Sequence, residues 1–272
     1  MAGPLIVLTT DFGTADTYVG VMKGVIAGIA PTARVVDLTH EIRPQDVRHG
    51  AYSLSIAVPY FPPGTIFVTV VDPGVGSARR PVAIRTGGYI FVAPDNGVLS
   101  LVLREAPADA AVILAERCYQ LPQISITFHG RDVFAPAGAH LAAGVPLEAL
   151  GPALEPADLV MLPAPRRFRD EHGVWHGEIL HIDHFGNMVT SLRRSDLRVA
   201  PDEPAPAAAP WRFALGDTHI AGLSRTFADV AVGAPVAYLG SDDFLEISVR
   251  NANGAARLGG MLGAEVRAWY VS

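Results

Sequence analysis

Residues 66–80 read Ile-Phe-Val-Thr-Val-Val-Asp-Pro-Gly-Val-Gly-Ser-Ala-Arg-Arg, and this stretch decides how the first half of the chain is interpreted. An apolar, largely β-branched run predicts a buried strand that ends at Val71. An acid, Asp72, and a turn of proline and glycine follow it directly. Since ligands of open α/β sheets bind at the carboxyl ends of the strands, we expect the Asp72 carboxylate to face such a site. Arg79, seven residues later, can face it across the loop.

Strand and helix patterns alternate on both sides of this stretch. Short apolar runs predict strands, and apolar residues at helical spacing predict the helices between them. The predicted strands are residues 5–8, 35–38, 66–71, 82–85, 89–93 and 111–114, and the predicted helices are residues 16–29, 46–60, 97–104 and 132–143. Such alternation is typical of a mainly parallel sheet with helices on both faces.

Aspartate and glycine positions predict two details of these helices: their N-caps and the face on which the first helix packs. Asp16 and Asp132 stand where the N-caps of their helices belong. Gly20, Gly24 and Gly28 recur every four residues and therefore share one face of the first helix. We expect that face to pack closely on the sheet.

The second half of the chain has a different pattern. Residues 151–165 are rich in proline and alanine and predict a linker, and residues 201–210 predict a low-complexity surface loop. The predicted strands are residues 174–182, 188–191, 211–213, 218–220, 235–239, 244–249 and 266–270. Short strands with frequent turns favour a small β-barrel or sandwich. The sequence thus predicts an α/β fold with an α/β domain at residues 1–165 and a smaller, β-barrel-like domain at residues 166–272.

The composition excludes several classes of function. Hydrophobic residues make up 50% of the 272 residues and charged residues 18%, which is enough to bury a sizeable core. A net charge of −6 argues against nucleic-acid binding, which usually needs a basic face. No apolar stretch reaches bilayer length, so we expect no membrane partner. The single cysteine, Cys118, and an amino terminus without a signal-peptide pattern fit a reducing, cytoplasmic setting.

Four more polar clusters interrupt the apolar segments, at residues 9–13, 94–97, 128–132 and 182–187. Taken singly, each has an ordinary structural interpretation. Asp11 and residues 95–97 suit turns, His129 suits a hydrogen-bonded structural histidine, and residues 183–187 suit a hairpin turn. Because three of the polar clusters, including that around Asp72, follow strands or open helices within one α/β unit, a common site is the better interpretation.

The residue types in these clusters point to the activation of water. The chain has no Gly-x-Ser-x-Gly elbow and no Walker A loop. A metal site from Asp72, His129 and His181 or His184 is an alternative, but no His-x-x-x-His or His-Glu-x-x-His motif supports it. A carboxylate and a histidine can orient and deprotonate water, and an arginine stabilises the hydroxide that forms. We therefore expect an activated-water site without metal.

Six motifs, in this order, resemble those of the S-adenosyl-L-methionine hydroxide adenosyltransferases. These are adenosine-forming hydrolases related to the fluorinase and chlorinase enzymes. The motifs are Thr10–Gly13, Val71–Gly76 with Arg79-Arg80, Pro94–Gly97, Thr127–Phe134, Ile182–Asn187 and Arg250–Asn253. The resemblance covers nearly the whole chain. It implies an α/β domain, a β-barrel-like domain and a homotrimer whose sites lie between the large domain of one subunit and the small domain of the next.

The resemblance also implies roles for individual residues. Asp72, Arg79 and His129 match the family's water-activating triad. The halogenases have a tyrosine at the aspartate position, so Asp72 favours hydroxide over halide as the nucleophile. The implied substrate contacts are Asp11 for the ribose hydroxyls, Asp183 and Asn187 for the methionine or adenine ends, Phe185 for packing, and Arg250 with Ala252 near the adenine.

The activity implied by the resemblance is hydrolysis of S-adenosyl-L-methionine to adenosine and L-methionine. No metal or redox cofactor is implied. Two alternatives remain open from the sequence: a 5′-halogenase, and a non-catalytic sensor that binds adenosine or S-adenosyl-L-methionine. The halogenases carry a tryptophan after the second strand where this chain has Pro44-Gln45-Asp46, so no role is implied there.

Overall fold

A computed structural model describes residues 3–199 and 210–271 of the chain. These residues belong to two compact units, Met1–Leu162 and Pro163–Ser272. The predicted surface loop at residues 201–210 lies, except for Pro210, outside the described residues. Among the helices that are described, none has both the length and the apolar character needed to cross a bilayer.

The first unit is built on a six-stranded sheet. Its strands are β1 (Leu5–Thr10), β2 (Arg34–Thr39), β3 (Ile66–Val70), β4 (Pro81–Thr86), β5 (Tyr89–Pro94) and β6 (Ala110–Ile113). They lie in the order β2-β1-β3-β5-β4-β6. The first three neighbouring pairs are parallel, and β4 pairs antiparallel with both β5 and β6. The predicted α/β class, with a mainly parallel sheet, is confirmed.

Helices cover both faces of this sheet. They are α1 (Tyr18–Ile29), α2 (Val47–Ala57), α3 (Ser100–Glu105) and α4 (Ala135–Ala142), with a π-helical turn, Gly130–Phe134, directly before α4. Successive strand side chains point to opposite faces. Ile6 and Leu8 share one buried core with Met22 of α1. Val7 shares the other core with Leu54 of α2. Full burial of each such side chain contributes about 1.5–3 kcal/mol.

Two predictions for α1 are wrong. The helix begins at Tyr18, and no side chain caps its amino terminus, so Asp16 is not its N-cap. Its three glycines face outward, because a Cβ added to any of them would meet nothing within 4 Å. The residues that α1 buries are Val19, Met22 and Ile26. Their apolar stripe, which follows the helical repeat, decides which face meets the sheet.

The segment predicted as a linker packs on the first unit over much of its length. Leu154 and Leu159 are buried in the core that α2 covers. The backbone N–H of Leu154 donates to the carbonyl of Ala111 in β6. Two leucines therefore anchor a stretch whose proline and alanine content suggested a free connection.

The second unit is an eight-stranded sheet in which every strand pair is antiparallel. Its described strands are β7 (Arg167–Arg169), β8 (Trp175–Ile182), β9 (Met188–Arg193), β10 (Trp211–Leu215), β11 (Thr218–Ala221), β12 (Pro235–Leu239), β13 (Phe244–Val249) and β14 (Glu265–Tyr270), and the helix α5 (Gly254–Leu258) lies between the last two. Seven strands follow the order β11-β10-β14-β8-β9-β13-β12, and β7 pairs with β8. A bridge between Ser224, after β11, and Tyr238 of β12 brings the two ends together. The sheet is therefore nearly closed, and the predicted barrel-like character is confirmed.

Candidate active site

Two acids stand at the carboxyl ends of neighbouring parallel strands. Asp11 follows the last residue of β1, and Asp72 follows β3 by two residues. In the sheet β1 lies between β2 and β3, and the helices that follow β1 and β2 pack on opposite faces. Ligands of open α/β folds bind at such a switch point. The sheet thus carries both predicted acids to the same edge, at the place where a ligand is expected.

Asp72 and Arg79 form a buried ion pair. Arg79 Nε lies 3.0 Å and 2.9 Å from the two carboxylate oxygens, and its NH2 nitrogen also donates to Asp72 Oδ2. The side chains are only 5% and 9% exposed, respectively. The loop between them turns at Gly76, whose φ is +77° and whose added Cβ would lie 2.6 Å from the carbonyl oxygen of Ile126. Glycine at this position lets the chain turn and bring the two charges together.

His129 contacts the same arginine. Its Nδ1 lies 2.7 Å from the NH2 nitrogen of Arg79. A guanidinium has only donors, so Nδ1 accepts this hydrogen bond and the ring hydrogen is on Nε2. Burial lowers the pKa of His129, the charge of Arg79 lowers it further, and Asp72 and Asp132 oppose both effects. The geometry therefore describes a neutral imidazole with a donor at Nε2.

An aromatic cluster joins the loop of Asp11 to the loop of His129. The rings of Phe12 and Phe128 lie 5.8 Å apart, edge to face, and Tyr18 lies 5.9 Å and 5.2 Å from them. Such pairs add about 0.5–1.5 kcal/mol beyond the area that they bury. The turn after β1 and the loop before the π-helical turn are therefore packed as one surface.

Residues 94–97 hydrogen-bond to the chain on both sides of the Asp72 loop. Asn96 Nδ2 donates to the carbonyl of Val71 at 2.8 Å. Asp95 accepts from Arg80 Nε at 2.8 Å and from the backbone N–H of Val160 at 2.8 Å. These contacts fit the structural interpretation of the motif as a turn, and they fix the strand end from which Asp72 projects.

The predicted capping role of Asp132 is wrong. It lies inside the π-helical turn, and its carboxylate accepts from the backbone N–H of Ser125 at 2.8 Å and from the guanidinium of Arg131. It therefore holds the loop that precedes His129 rather than the helix end. Helical π-turns are frequent at functional sites, and this one follows the histidine directly.

Asp183 and Asn187 meet in the tight loop between β8 and β9. Asp183 Oδ1 accepts from the backbone N–H groups of Phe185 and Asn187 at 2.9 Å and 2.8 Å, and Asp183 Oδ2 accepts from Asn187 Nδ2 at 2.7 Å. The side-chain oxygen of Asn187, Oδ1, in turn accepts from the hydroxyl of Ser248. Phe185 is 72% exposed at the tip of the loop. The loop thus presents a fixed carboxylate beside an exposed ring.

Residues 250–253 pack against that loop. Asn253 caps α5, and an added Cβ on Gly186 would lie 2.3 Å from its side chain. Ala252 donates its N–H to the carbonyl of Val249 at 3.2 Å. The Arg250 guanidinium donates to the carbonyl of Val230 at 2.6 Å. The motifs at residues 182–187 and 250–253 therefore pack together. The guanidinium of Arg250 hydrogen-bonds to a carbonyl of the second unit.

Within residues 3–199 and 210–271, no three His, Cys, Asp or Glu side chains are grouped so that they could hold a metal ion. No role in the site was predicted for residues 40–45. Their polar run after β2 resembles the other clusters in position, and Gln45 of this segment donates its backbone N–H to Asp11 at 2.8 Å.

An α/β unit with this cluster at its switch point, followed by an antiparallel barrel-like unit, matches one family over most of the chain. The family model described as the SAM hydroxide adenosyltransferase N-terminal domain matches residues 6–151. The corresponding C-terminal domain model matches residues 177–267. The chain belongs to the SAM hydroxide adenosyltransferase family.

Relatives with this organisation carry two kinds of name. The (R)-S-adenosyl-L-methionine hydrolase of Salinispora tropica is 41% identical over 97% of this chain and 97% of its own. The enzyme of the same name from Thermus thermophilus is 42% identical over 95% and 96%. A fluorinase of Actinoplanes sp. is 33% identical over 92% and 91%.

The fold is also shared with a solved structure. The crystal structure of an uncharacterized conserved protein from Thermotoga maritima superposes with a TM-score of 0.88 at 34% sequence identity. The match covers 97% of this chain and 99% of the other. Both units described above therefore have counterparts in one solved chain.

Proposed function

We propose that this protein hydrolyses S-adenosyl-L-methionine to adenosine and L-methionine. The observation that carries the proposal is the donation by Arg79 to both Asp72 and His129. Three polar groups thereby converge at the switch point of the sheet. The family relationship and the hydrolases at 41% and 42% identity support the same reaction.

The proposed step is an in-line displacement at the ribose C5′ carbon. A water oxygen forms the new bond to C5′ while the bond from C5′ to sulfur breaks. The bonding pair goes to sulfur, so methionine leaves as a neutral thioether. One water proton passes to Asp72, and the Nε2–H of His129 donates to the water oxygen and orients it. Arg79 keeps the carboxylate and the imidazole in place.

The electrostatics favour this reaction in a site that excludes water. The substrate is cationic at sulfur, and the nucleophile becomes anionic as it loses its proton. Opposite charges therefore disappear along the reaction path, which a poorly solvated pocket promotes. Holding the nucleophile in line with C5′ contributes more, on the order of several kcal/mol.

The substrate contacts are proposed from the residues that the resemblance implies. Asp11 Oδ2 already accepts the N–H of Gln45, so we assign Oδ1 to the ribose hydroxyls. The assignments in the second unit are Asp183 and Asn187 to the methionine or adenine ends, Phe185 to packing, and Arg250 with Ala252 to the adenine side. We also propose a homotrimer, as the resemblance implies, and a cytoplasmic location, which the single cysteine suits.

The deciding experiment uses ¹⁸O-water. Purified protein incubated with S-adenosyl-L-methionine should release adenosine that carries the label at its 5′-oxygen. Unlabelled adenosine would refute hydrolysis at C5′. Formation of 5′-halo-5′-deoxyadenosine in excess chloride or fluoride would identify a halogenase instead, and tight binding with no turnover would identify a sensor.

A further inference from the structure

We infer that His40 is a positioning residue for Asp11, because its buried ring holds the turn that presents the Asp11 carboxylate. The inference rests on the proposed role of Asp11 at the ribose. It assigns a function to the segment after β2, and it is tested by ligand binding rather than by turnover.

The ring of His40 is almost fully enclosed, with a side chain 3% exposed. Its Nδ1 lies 2.9 Å from the hydroxyl of Thr10, the residue before Asp11. That hydroxyl also accepts the backbone N–H of Phe12 at 3.2 Å. A hydroxyl that already accepts from Phe12 has its own hydrogen available for His40. The contact therefore fixes the backbone on both sides of Asp11.

The far side of the imidazole meets a charge. His40 Nε2 lies 3.0 Å from Asp37 Oδ1, close in distance but poorly aligned for a hydrogen bond. The other oxygen of Asp37 accepts from Lys23 at 2.6 Å. With Nδ1 accepting from Thr10, the ring hydrogen lies on Nε2, toward the carboxylate. The ion pair of Lys23 with Asp37 thus places a carboxylate against the far side of the buried ring.

Backbone hydrogen bonds join the same two loops. Gly13 donates its N–H to the carbonyl of His40 at 2.8 Å, and Ile42 donates to the carbonyl of Thr10 at 3.4 Å. Two backbone hydrogen bonds and the His40 ring therefore all link the turn after β1 to the segment after β2. Loss of the ring should therefore loosen the turn.

A strained residue completes the support. Gln45 is not glycine, yet its φ is +66°. This left-handed conformation aims its N–H at Asp11 Oδ2, 2.8 Å away. Such strain persists only where the surrounding structure holds the backbone in place. Here the next residue, Asp46, is fixed because it caps α2 by accepting the N–H of His49. Asp11 is thus held through its backbone by His40 and through its carboxylate by Gln45.

The test measures adenosine binding by calorimetry in His40→Leu and His40→Asn. Leucine removes the acceptor for Thr10 and should weaken binding about tenfold, the equivalent of one lost hydrogen bond. Asparagine can still accept from the hydroxyl and should remain close to wild type. His140→Leu is the matched control, since His140 is a half-buried histidine that packs on Tyr119, outside the site. Wild-type affinity in His40→Leu, or equal losses in both His40 variants, would overturn the inference.

A double-mutant cycle separates positioning from general destabilisation. In an Asp11→Ala background, His40→Leu should have no further effect on adenosine affinity, because the group that it positions is gone. Independent, additive losses would contradict the inference. Amide hydrogen exchange gives a second readout: His40→Leu should speed exchange at Phe12 and Gln45, and unchanged protection would count against it.

These outcomes are distinct from a failure of the proposed function. Wild-type protein that binds adenosine but does not hydrolyse S-adenosyl-L-methionine refutes hydrolysis, while the binding cycle still decides the role of His40. Hydrolysis with additive losses in the cycle refutes the positioning role alone. Wild-type protein that does not bind adenosine refutes the positioning inference as well.

Discussion

Arg79 donates to Nδ1 of His129 at 2.7 Å, using the same nitrogen that contacts Asp72. A single planar group therefore sets the orientation of both the carboxylate and the imidazole. Lysine has the same charge but no fork, so it cannot make both contacts with the same geometry.

Arg79→Lys should therefore lose turnover by about 10²–10⁴-fold, the usual range for disrupted acid–base catalysis, while adenosine affinity changes little. Steady-state kinetics and calorimetry check the two parts separately. Arg85→Lys is the matched control, because Arg85 makes an exposed ion pair with Glu148. Normal turnover in Arg79→Lys would show that the shared contact is dispensable.

Asp72→Asn should destabilise the first unit by about 3–5 kcal/mol, because it leaves the buried charge of Arg79 without its partner. Denaturant unfolding measures the loss. The double variant Asp72→Asn/Arg79→Met removes both charges and should recover much of the stability. A double variant that is as unstable as the single one would locate the cost in packing rather than in charge.

His129 should titrate below its ordinary value of 6.5, since burial and then Arg79 lower its pKa. As pH falls below 6.5, the unfolded chain takes up this proton before the folded protein does, so this site's contribution to stability decreases with acidification. Nitrogen-15 NMR of the imidazole, assigned with His129→Asn, reports both the pKa and the hydrogen on Nε2. A pKa above 6.5, or a hydrogen on Nδ1 at neutral pH, would contradict the geometry.

His176 should show the opposite dependence. Hydrogen bonds to Asp170 and then to Glu265 raise its pKa above 6.5. The stabilisation is fully present below 6.5 and is lost as pH rises through the folded-state value. The free energy of unfolding of wild type should exceed that of His176→Gln modestly at pH 6, and the gap should close in alkaline solution. A gap that widens with pH would reverse the assignment.

A mixing experiment tests the proposed trimer. Asp72→Ala removes a residue of the first unit, and Asp183→Ala removes one of the second. If sites form between subunits, co-expression of the two inactive variants should restore part of the activity. The control pairs Asp72→Ala with His129→Ala, both in the first unit, where no complete site can form. Recovery in the control and not in the test pair would contradict the arrangement.

Local patterns were enough to predict much of the fold. β3 is an apolar run of the length expected for a buried strand, and Asp72 follows its end as predicted. The pairing of Asp72 with Arg79 was also accessible, because the two residues are close in sequence. His129 lies 50 residues beyond Arg79, so its cluster could only be proposed for a common site from its residue types, and the resemblance then matched it to the triad. The catalytic roles of all three residues remain predictions.

Other features depend on tertiary structure that local patterns do not encode. The positive φ of Gln45 and the contact of His40 with Thr10 require the alignment of β1 beside β2. The glycines of α1 face outward because the larger apolar side chains of the helix, Val19, Met22 and Ile26, occupy the face that packs on the sheet. Leu154 and Leu159 are buried because the sheet leaves room for them, although their surroundings in sequence resemble a linker.

The shared donor at Arg79 has an evolutionary consequence. A lineage that exchanges Asp72 for another residue also releases the guanidinium and, with it, the imidazole. A change at Asp72 alone leaves the guanidinium of Arg79 buried without its carboxylate, and a change at Arg79 alone leaves the carboxylate unpaired, so selection would act against either single change. Substitutions at Asp72 and Arg79 should therefore be accepted most readily when both residues change together.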